Sequence, residues 1–268
     1  MNKGIFLETA VKAARRAGRY LLDNLGRVSR SDIGLKQASD FVTRVDRESE
    51  EIILNTIRKA FTDHAFLTEE SVQDRENDNF RWIIDPLDGT TNYIHQYPVF
   101  SLSLALEYRK EIILGVVYEP LRNGMFTAEK GRGTFYNRKR IRVSEVRSFR
   151  DCLVTTGFPF RRKEMTDQYL KLFKNVFFKC SDLRRAGSAA LDLAYLAGGR
   201  CDAFFEIGLS PWDIAAGALL TKEAGGVVTD FNGGQEYLHS GNIVAGNPAI
   251  HKKLLLEVRN VFRDTGGT

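Results

Sequence analysis

Two carboxylates stand three residues apart at the end of an apolar run, in Trp82-Ile83-Ile84-Asp85-Pro86-Leu87-Asp88. The run predicts a buried strand that delivers Asp85 and Asp88 to its carboxyl end. Two negative charges this close are unfavourable unless a cation lies between them, and hard cations bind carboxylate oxygens. The next residues, Gly89-Thr90-Thr91-Asn92, predict a helix start, whose N–H groups and dipole favour an anion. A metal ion and an anion together indicate phosphate chemistry.

Three further acidic residues lie where an apolar segment ends or a helix begins. Asp46 opens a predicted helix, Glu69 follows a short apolar run, and Asp213 begins a second predicted helix. Each also has an ordinary interpretation, as a surface acid or as a residue that caps a helix. That interpretation is weaker for Asp85 and Asp88, because an exposed turn does not usually follow Trp-Ile-Ile directly.

Lys36 lies four residues before Asp40-Phe41-Val42-Thr43 and has two interpretations. In the first it is a solvated surface lysine. In the second it reaches a phosphate group or a metal-bound water in the same site.

Composition is that of an ordinary globular protein. Of 268 residues, 43% are hydrophobic and 27% are charged, and the net charge is +5. No apolar run approaches the roughly 20 residues of a membrane span, and the start of the chain lacks an apolar signal core. The three cysteines form no metal-binding or paired spacing, which favours a reducing cytoplasm. The basic runs 138–140 and 161–163 indicate solvated loops or a gate for anionic substrate rather than direct nucleic-acid binding.

Periodicity predicts two lobes, 1–144 and 145–268, that share one interface. In the first lobe, helices at 4–25 and after Asp46 pack on an antiparallel sheet, with loops at 32–38 and 73–79, the second of them mobile. In the second lobe strands alternate with helices, which predicts an α/β arrangement. The predicted strands of this lobe are 152–156, 177–181, 202–206, 227–230 and 242–245, and its predicted helices are 163–175, 187–197, 212–224 and 248–261.

Several motifs resemble those of the inositol monophosphatase family of metal-dependent, lithium-sensitive phosphatases. They are Asp85-Pro86-Leu87-Asp88-Gly89-Thr90-Thr91-Asn92, Trp212-Asp213-Ile214-Ala215-Ala216-Gly217 running to Glu223-Ala224-Gly225-Gly226, Lys36 with Asp40-Phe41-Val42-Thr43 and Asp46, and Glu69-Glu70-Ser71. The resemblance extends over about residues 4–260 and is greatest for the bacterial branch. It implies a layered αβαβα sandwich, a homodimer and two to three Mg²⁺ ions in each active site.

The resemblance also assigns metal ligands. It implies that Glu69, Asp85 and the carbonyl of Leu87 bind a first, catalytic Mg²⁺. Asp85, Asp88 and Asp213 would bind a second ion, and Glu69 would also reach a third. Mg²⁺ prefers oxygen ligands and keeps several waters, which suits carboxylates scattered along the chain.

The remaining roles that the resemblance implies concern the water and the substrate. Asp46 and Thr90 would hold and activate the attacking water, and Gly89 and Thr90 would bind phosphate. Asp88, Ala189 and Glu206 would contact the alcohol part of the substrate. Neither the histidines nor the cysteines lie in a motif for covalent catalysis, so direct water attack is preferred over a phosphoenzyme.

The substrate has more than one interpretation. A phosphomonoesterase acting on myo-inositol 1-phosphate or related polyol phosphates is the first, because the carboxylate of Glu206 can accept hydrogen bonds from ring hydroxyls. The family also contains fructose-1,6-bisphosphatases and nucleotide 3′-phosphatases. Arg184 and Arg185 would either receive a second phosphate or face a partner subunit.

A role of another class stays open. The segments 184–195 and 241–248 resemble the bacterial branch, in which a member also serves in a ribosomal-RNA transcription antitermination complex through protein contacts. The partners expected from the sequence are therefore a small phosphate ester, a second copy of the chain and, in this alternative, transcription-complex proteins.

Overall fold

The structure is a computed structural model that describes residues 3–29, 33–37, 40–71 and 79–262, without the side chains of residues 3, 33, 35–37 and 40–42. Its helices are α1 Lys3–Asn24, α2 Arg44–Arg58, α3 Thr90–Ile94, α4 Thr166–Phe177, α5 Ala189–Ala197, α6 Pro211–Glu223, α7 Tyr237–Ser240 and α8 Pro248–Phe262. Its strands are β1 Ile33–Gln37, β2 Asp40–Thr43, β3 Ala65–Thr68, β4 Phe80–Asp88, β5 Ser101–Tyr108, β6 Glu111–Glu119, β7 Gly124–Glu129, β8 Gly133–Tyr136, β9 Lys139–Ile141, β10 Leu153–Thr156, β11 Asp182–Arg184, β12 Ala203–Glu206, β13 Val227–Thr229 and β14 Ile243–Gly246.

Two large sheets organise the chain. The first has seven strands in the sequential order β3 to β9, and all neighbours are antiparallel except β3 and β4, which are parallel. The second has five strands in the order β11-β10-β12-β14-β13, with parallel pairing around β10 and antiparallel pairing around β14. Strands β1 and β2 form a separate antiparallel pair.

Helices fill three layers around these sheets. Helices α1 and α2 cover the outer face of the seven-stranded sheet, α5 and α6 lie between the sheets, and α4 and α8 cover the five-stranded sheet. This is an αβαβα sandwich, so the predicted fold class is confirmed. The proposed boundary at residue 144 falls between β9 and β10, which lie in different sheets. Independent folding of the two lobes stays a prediction.

Helix α6 is buried because it is apolar on every side. Most of its residues are inaccessible, and its small side chains let other elements approach closely. A Cβ on Gly115 of β6 would lie 2.8 Å from the carbonyl oxygen of Ala216, and one on Gly217 would lie 2.5 Å from Leu193 of α5. Helix α6 therefore packs closely on β6 of the first sheet and on α5 within its own layer.

Two predicted elements are wrong. Residues 33–37 form β1 rather than a loop, because they pair with β2. The predicted strand 177–181 is instead the end of α4 and a turn, and the strand β11 begins only at Asp182. Apolar Phe177 and Phe178 suggested a strand, but Phe177 continues a helical stripe, since its ring stacks on that of Phe173 one turn earlier.

The predicted mobile loop 73–79 lies outside the described residues apart from Asn79. Among the described helices, none combines the length and the apolar character that crossing a membrane would require.

Candidate active site

A cleft of about 300 Å³ opens at the carboxyl end of β4, beside the first residues of α3, α5 and α6. Elements from both sheets and from the central helix layer contribute to its walls. Ten residues given a candidate metal or substrate role from the sequence line it: Glu69, Asp85, Leu87, Asp88, Gly89, Thr90, Arg185, Ala189, Glu206 and Asp213.

A β-bulge brings the two carboxylates of β4 to this cleft together. In a regular strand, residues three apart point to opposite faces. Here Asp85 pairs with Ser103 of β5 and Asp88 pairs with Ser101, so β4 carries one extra residue between them. The bulge restores a common direction, and the N–H of Leu87 donates to Oδ1 of Asp85 at 2.9 Å within it.

Gly89 turns the chain from β4 into α3. Its φ of 99° lies in the left-handed region, and a Cβ would come within 3.1 Å of the carbonyl oxygens of Gly187 and Val99. Only glycine fits this turn without strain. The following helix has five residues, so its dipole is small and an anion would depend mainly on nearby N–H groups.

Thr90 connects the cleft to a buried acid. Its hydroxyl donates to Oδ1 of Asp46 at 2.9 Å and also lies 3.1 Å from the carbonyl oxygen of Leu87. Asp46 is fully buried and does not line the cleft. Its other oxygen accepts from the backbone N–H and hydroxyl of Thr43, which is the N-cap of α2. The interpretation of Asp46 as that N-cap is therefore wrong, since Asp46 is the third residue of the capping box.

Asp88 is held by two donors at the start of α5. The hydroxyl of Ser188 and the N–H of Ala190 lie 2.7 and 2.8 Å from Oδ2. Burial, followed by repulsion from Asp213, raises the pKa of Asp88 to about 7, although both donors act in the opposite direction. The carboxyl is fixed in position and unfavourable as an isolated anion.

The pKa of Asp85 is raised by the same causes, burial and neighbouring carboxyl groups. Burial, followed by the charges of Glu69 and Asp88, raises its pKa well above the usual range. The neighbouring Glu69 side chain also raises the pKa of Asp85, which favours a proton on the Asp85 carboxyl. A bound cation would replace this proton and relieve the repulsion.

Arg161 supplies positive charge to this cluster. Its Nη1 atom lies 2.7 Å from Oδ2 of Asp213, and its Nη2 atom lies 3.8 Å from Oε1 of Glu69. The same Oδ2 accepts the N–H of Ser210, so Asp213 is also part of the capping box of α6. Sequence reasoning gave Arg161 only as part of a basic loop, although its position just after β10 was a usable signal.

The cleft is also lined by two further buried acids, Glu206 and Asp192. Burial raises the pKa of both, and the charge of Asp192 raises that of Glu206 further, while Arg185 opposes each shift. Asp192 was missed from the sequence. The signal was present, because it is the single charged residue of α5, whose other members are alanine, leucine and tyrosine.

Two predicted substrate contacts remain outside this arrangement. Arg184 lies on the edge strand β11, is exposed, pairs with Asp182 and does not line the cleft, whereas the neighbouring Arg185 does. Lys36 lies in β1, and its side chain falls outside the described residues.

The donor set suits a hard cation. Among the side chains that the structure describes, no three carboxylate, imidazole or thiol groups stand at chelating distances from one another. Four carboxylates nevertheless line one cleft, where Asp85 and Asp88 have raised pKa values, and those four are Glu69, Asp85, Asp88 and Asp213. Mg²⁺ retains waters and binds through few carboxylates at a time, so such a spread set fits it better than a closed cage.

Known proteins resemble this chain over nearly its whole length. The sequence model of the inositol monophosphatase family matches residues 5–262. Nus factor SuhB of Escherichia coli (strain K12) is 46% identical over 259 residues, which cover 96% of this chain and 97% of that protein. Extragenic suppressor protein suhB of Bartonella henselae has a crystal structure with a TM-score of 0.92 at 44% identity, covering 95% of this chain and 98% of that one.

A third relative is named as an IMPase. The structure of the Thermotoga maritima IMPase has a TM-score of 0.89 at 38% identity, and the match covers 99% of this chain and 100% of that one. The motif resemblance and the layered fold thus extend over nearly the whole length of the protein. The chain belongs to the inositol monophosphatase family.

Proposed function

We propose that this protein is a Mg²⁺-dependent phosphomonoesterase that hydrolyses myo-inositol 1-phosphate and related polyol phosphates. The observation that carries the proposal is the convergence of Glu69, Asp85, Asp88 and Asp213 on one cleft, with the hydroxyl of Thr90 beside them. Membership of the family and the likeness to the Thermotoga maritima IMPase support it.

The acids of the cleft divide between two metal positions in this proposal. Glu69, Asp85 and the carbonyl of Leu87 would hold the first ion, and Asp85, Asp88 and Asp213 would hold the second, with Glu69 reaching a third. When bound, Mg²⁺ lowers the pKa of a water and neutralises charge on the phosphate and the leaving oxygen. The bulge between Asp85 and Asp88 aims both side chains at that place.

Thr90 and Asp46 orient the attacking water. The Thr90 hydroxyl proton points to Asp46 Oδ1 or Leu87 O, which leaves a lone pair of Oγ1 available to accept a proton from water. A proton that leaves the water can then move through Thr90 Oγ1 to the buried carboxylate of Asp46. The water oxygen bonds to phosphorus as the bond from phosphorus to the alcohol oxygen breaks, and the departing oxygen takes up a proton.

The alcohol end of the cleft favours a polyol over a second phosphate. Arg185 also lines the cleft, but the buried carboxyls of Asp192 and Glu206 lie near enough for its charge to lower their pKa values, and they would compete with a second phosphate for that charge. The same carboxyls accept hydrogen bonds from hydroxyl groups. We therefore rank fructose 1,6-bisphosphate below myo-inositol 1-phosphate, and Arg184 is outside the lining altogether.

A substrate panel tests this function. Purified protein is assayed with Mg²⁺ for phosphate release from myo-inositol 1-phosphate, fructose 1,6-bisphosphate and a nucleotide 3′-phosphate. We expect the highest kcat/KM for inositol 1-phosphate and no turnover in EDTA. A large preference for the bisphosphate, or turnover that persists without a divalent cation, would overturn the assignment.

Two further properties are expected. Li⁺ should inhibit phosphate release by competing with Mg²⁺ at the second metal position. Light scattering should give the mass of a homodimer.

We infer a second candidate role, in contacts with transcription proteins, because relatives that are 46% identical are named Nus factor SuhB. A pull-down with RNA polymerase and its elongation factors tests it, with wild-type protein and Asp88→Asn side by side. Capture by both proteins would support a role separate from turnover. Capture by neither, from the same extract in which known elongation factors are recovered with polymerase, would reject it.

A further inference from the structure

A second cavity, on the helices that cover the seven-stranded sheet, is lined by basic side chains. It has a volume of about 300 Å³, and its walls are formed by Arg15, Arg16 and Arg19 of α1 and Ile52 of α2. None of these four residues lines the cleft that holds the acids. The three arginines share one exposed face of α1, because residues three and four apart are neighbours on a helix surface.

The positive charges of this cavity are unbalanced. Within the part of the chain that the structure describes, Arg15 and Arg19 form no hydrogen bond or ion pair, and Arg16 forms one hydrogen bond. Its Nη1 atom donates to Oγ1 of Thr56 at 3.0 Å, and that hydroxyl donates to the carbonyl oxygen of Ile52 at 2.7 Å. Arg16 is thus held against α2 by a neutral partner. Like charges three or four positions apart on a helix repel one another, and a bound anion would remove this repulsion.

Acidic residues limit the basic surface at both of its ends. No acidic residue occurs between Lys12 and Arg19, whereas Glu8 and Asp23 lie on the same face of α1, one before this segment and one after it. Neither of these two acids forms an ion pair with a described residue. A long polyanion lying along α1 would meet one of these carboxylates. A compact anion in the cavity would not.

Across the cavity, the nearest acid of α2 already has partners. Glu48, one turn before Ile52, pairs with Arg44 at 2.9 Å and accepts a hydrogen bond from the hydroxyl of Tyr20. Its charge is therefore directed to another part of the surface. The three arginines are left without a carboxylate among the described residues.

Charge and size together select a class of ligand. A single phosphate monoester carries about −1.5 to −2 near pH 7, so it would leave three guanidinium groups with excess positive charge. Two linked phosphates roughly double that negative charge and match the arginines better. A planar guanidinium can donate two parallel hydrogen bonds to phosphate oxygens. A volume of about 300 Å³ is at the small end of the range for small-molecule sites.

We propose that Arg15, Arg16 and Arg19 form a binding site for a small molecule that carries a diphosphate group. The site is separate from the cleft, and it does not depend on the proposed phosphatase function. Ile52 offers an apolar contact to the organic part of such a molecule. Because the arginines belong to α1 and one of them is held by α2, the ligand links both helices and stabilises the folded chain.

Calorimetric titration of the full chain without divalent cation tests the site, with inorganic pyrophosphate as the probe. Under these conditions the acids of the cleft repel anions, so binding there does not interfere. We expect one pyrophosphate per chain, bound at least about tenfold more tightly than inorganic phosphate. Arg15→Gln and Arg19→Gln should each weaken pyrophosphate binding by about tenfold. Arg19→Lys keeps the charge but not the planar fork, and its affinity should be intermediate.

Lys252→Gln is the matched control, because it removes one exposed positive charge from another helix, α8. Its Kd for pyrophosphate should stay within about twofold of wild type, since salt screens distant charges. Pyrophosphate should raise the Tm of wild type and of this control, and should leave the Tm of Arg15→Gln unchanged. The unliganded variants should unfold at or above the wild-type Tm, because a like charge has been removed.

Four results would overturn the site. They are no binding of pyrophosphate, equal affinity for phosphate and pyrophosphate, unchanged binding in the arginine variants, and equal weakening in Lys252→Gln. A single-stranded RNA that binds through these arginines while pyrophosphate does not would also overturn it, and would make this face a nucleic-acid contact instead.

Discussion

The guanidinium of Arg161 lies 2.7 Å from the carboxylate of Asp213, inside the cluster of acids proposed to bind metal. Only 20% of the arginine side chain is exposed, so solvent screens this pair weakly. A cation entering the cluster meets a positive charge already in place. We therefore expect Arg161 to stabilise the metal-free protein and to weaken its affinity for metal.

The variant Arg161→Gln should separate these two effects. Without the arginine, the buried carboxylates repel one another, and the free energy of unfolding in EDTA should fall by about 1–3 kcal/mol. The Kd for Mg²⁺ should fall several-fold, because no internal cation competes. Calorimetric titration and thermal unfolding measure the two quantities without reference to turnover.

Arg162→Gln is the matched control for that experiment. Arg162 is the next residue, is half exposed and pairs only with the exposed Glu164 among the contacts described. Neither Mg²⁺ affinity nor stability should change. Weaker Mg²⁺ binding by Arg161→Gln would contradict the competition and would mean instead that the arginine orients Asp213 for the metal.

Asp88→Asn should abolish most activity while the fold is retained. The amide oxygen can still accept from Ser188 and Ala190, so the contact with α5 survives. The negative charge that a metal needs is gone, and we expect kcat to fall by at least about 100-fold. Phosphate release and circular dichroism check the two halves of this expectation, with Asp182→Asn on the exposed edge strand as control. Full activity in Asp88→Asn would refute the metal assignment.

The stability of the metal-free protein should depend on pH through Asp88. Its pKa is about 7 in the folded protein and near 4 in an unfolded chain, so the folded state binds the extra proton between those values. Stability is therefore lost as pH rises from about 4 to about 7, by up to about 1.4 kcal/mol per pH unit.

Asp88→Asn should remove that loss. Denaturant unfolding in EDTA, measured at several pH values, gives wild-type and variant curves that approach one another at low pH and separate as pH rises, with the variant more stable. His251 titrates in the opposite direction, since burial lowers its pKa to about 4, but it is present in both proteins and cancels in the difference. Parallel curves would contradict the raised pKa of Asp88.

The sequence predicted which acidic residues belong to the site, but it did not predict the backbone geometry that brings their side chains together. The motif around Asp85 and Asp88 could be recognised, because an apolar run ends there in two acidic residues. Their shared direction depends on an extra residue relative to β5, and pairing with a distant strand cannot be read from a local pattern. Arg184 and Arg185 show the same limit. Adjacent residues leaving an edge strand point to different sides, and the sequence does not say which one reaches the cleft.

The burial of charged side chains in the cleft was also not predicted from the sequence. Asp192 interrupts an apolar helix, and Arg161 follows β10, but each looks like a surface residue until its neighbours are known. The αβαβα layering was predicted through the family resemblance. The chain's own periodicity predicted most helices and strands. It missed β1, which was predicted as a loop, and it placed a strand near Phe177, where the ring of Phe177 stacks on that of Phe173 along α4.

Thr90→Val should test the link between the cleft and Asp46. Valine has nearly the shape of threonine but offers no hydroxyl, so the path from an attacking water to Asp46 Oδ1 is cut. We expect kcat to fall by about 10²–10⁴-fold, the usual contribution of a positioned general base. Thr90→Ser restores the hydroxyl and should recover most of the rate. If valine and serine behaved alike, the methyl packing rather than the hydroxyl would be responsible.

Gly157→Ala should disturb the proposed contact between Glu206 and the alcohol without touching the metal ligands. A Cβ at residue 157 would overlap the carboxyl of Glu206, which must then move away from its place in the cleft. We expect KM for myo-inositol 1-phosphate to rise by about tenfold, since one acceptor is misplaced, while Mg²⁺ affinity and the turnover of cyclohexyl phosphate, whose ring carries no hydroxyls, stay near wild type.

Gly198→Ala is the control for this substitution. Gly198 follows α5, has a negative φ, and an added Cβ would meet its neighbours at 3.6 Å, an ordinary contact distance. Steady-state kinetics on both esters therefore compare one glycine that the site requires with one that it does not. Should Gly157→Ala raise KM for both esters alike, the Glu206 carboxyl would be acting on the phosphate end rather than on the hydroxyls of the alcohol.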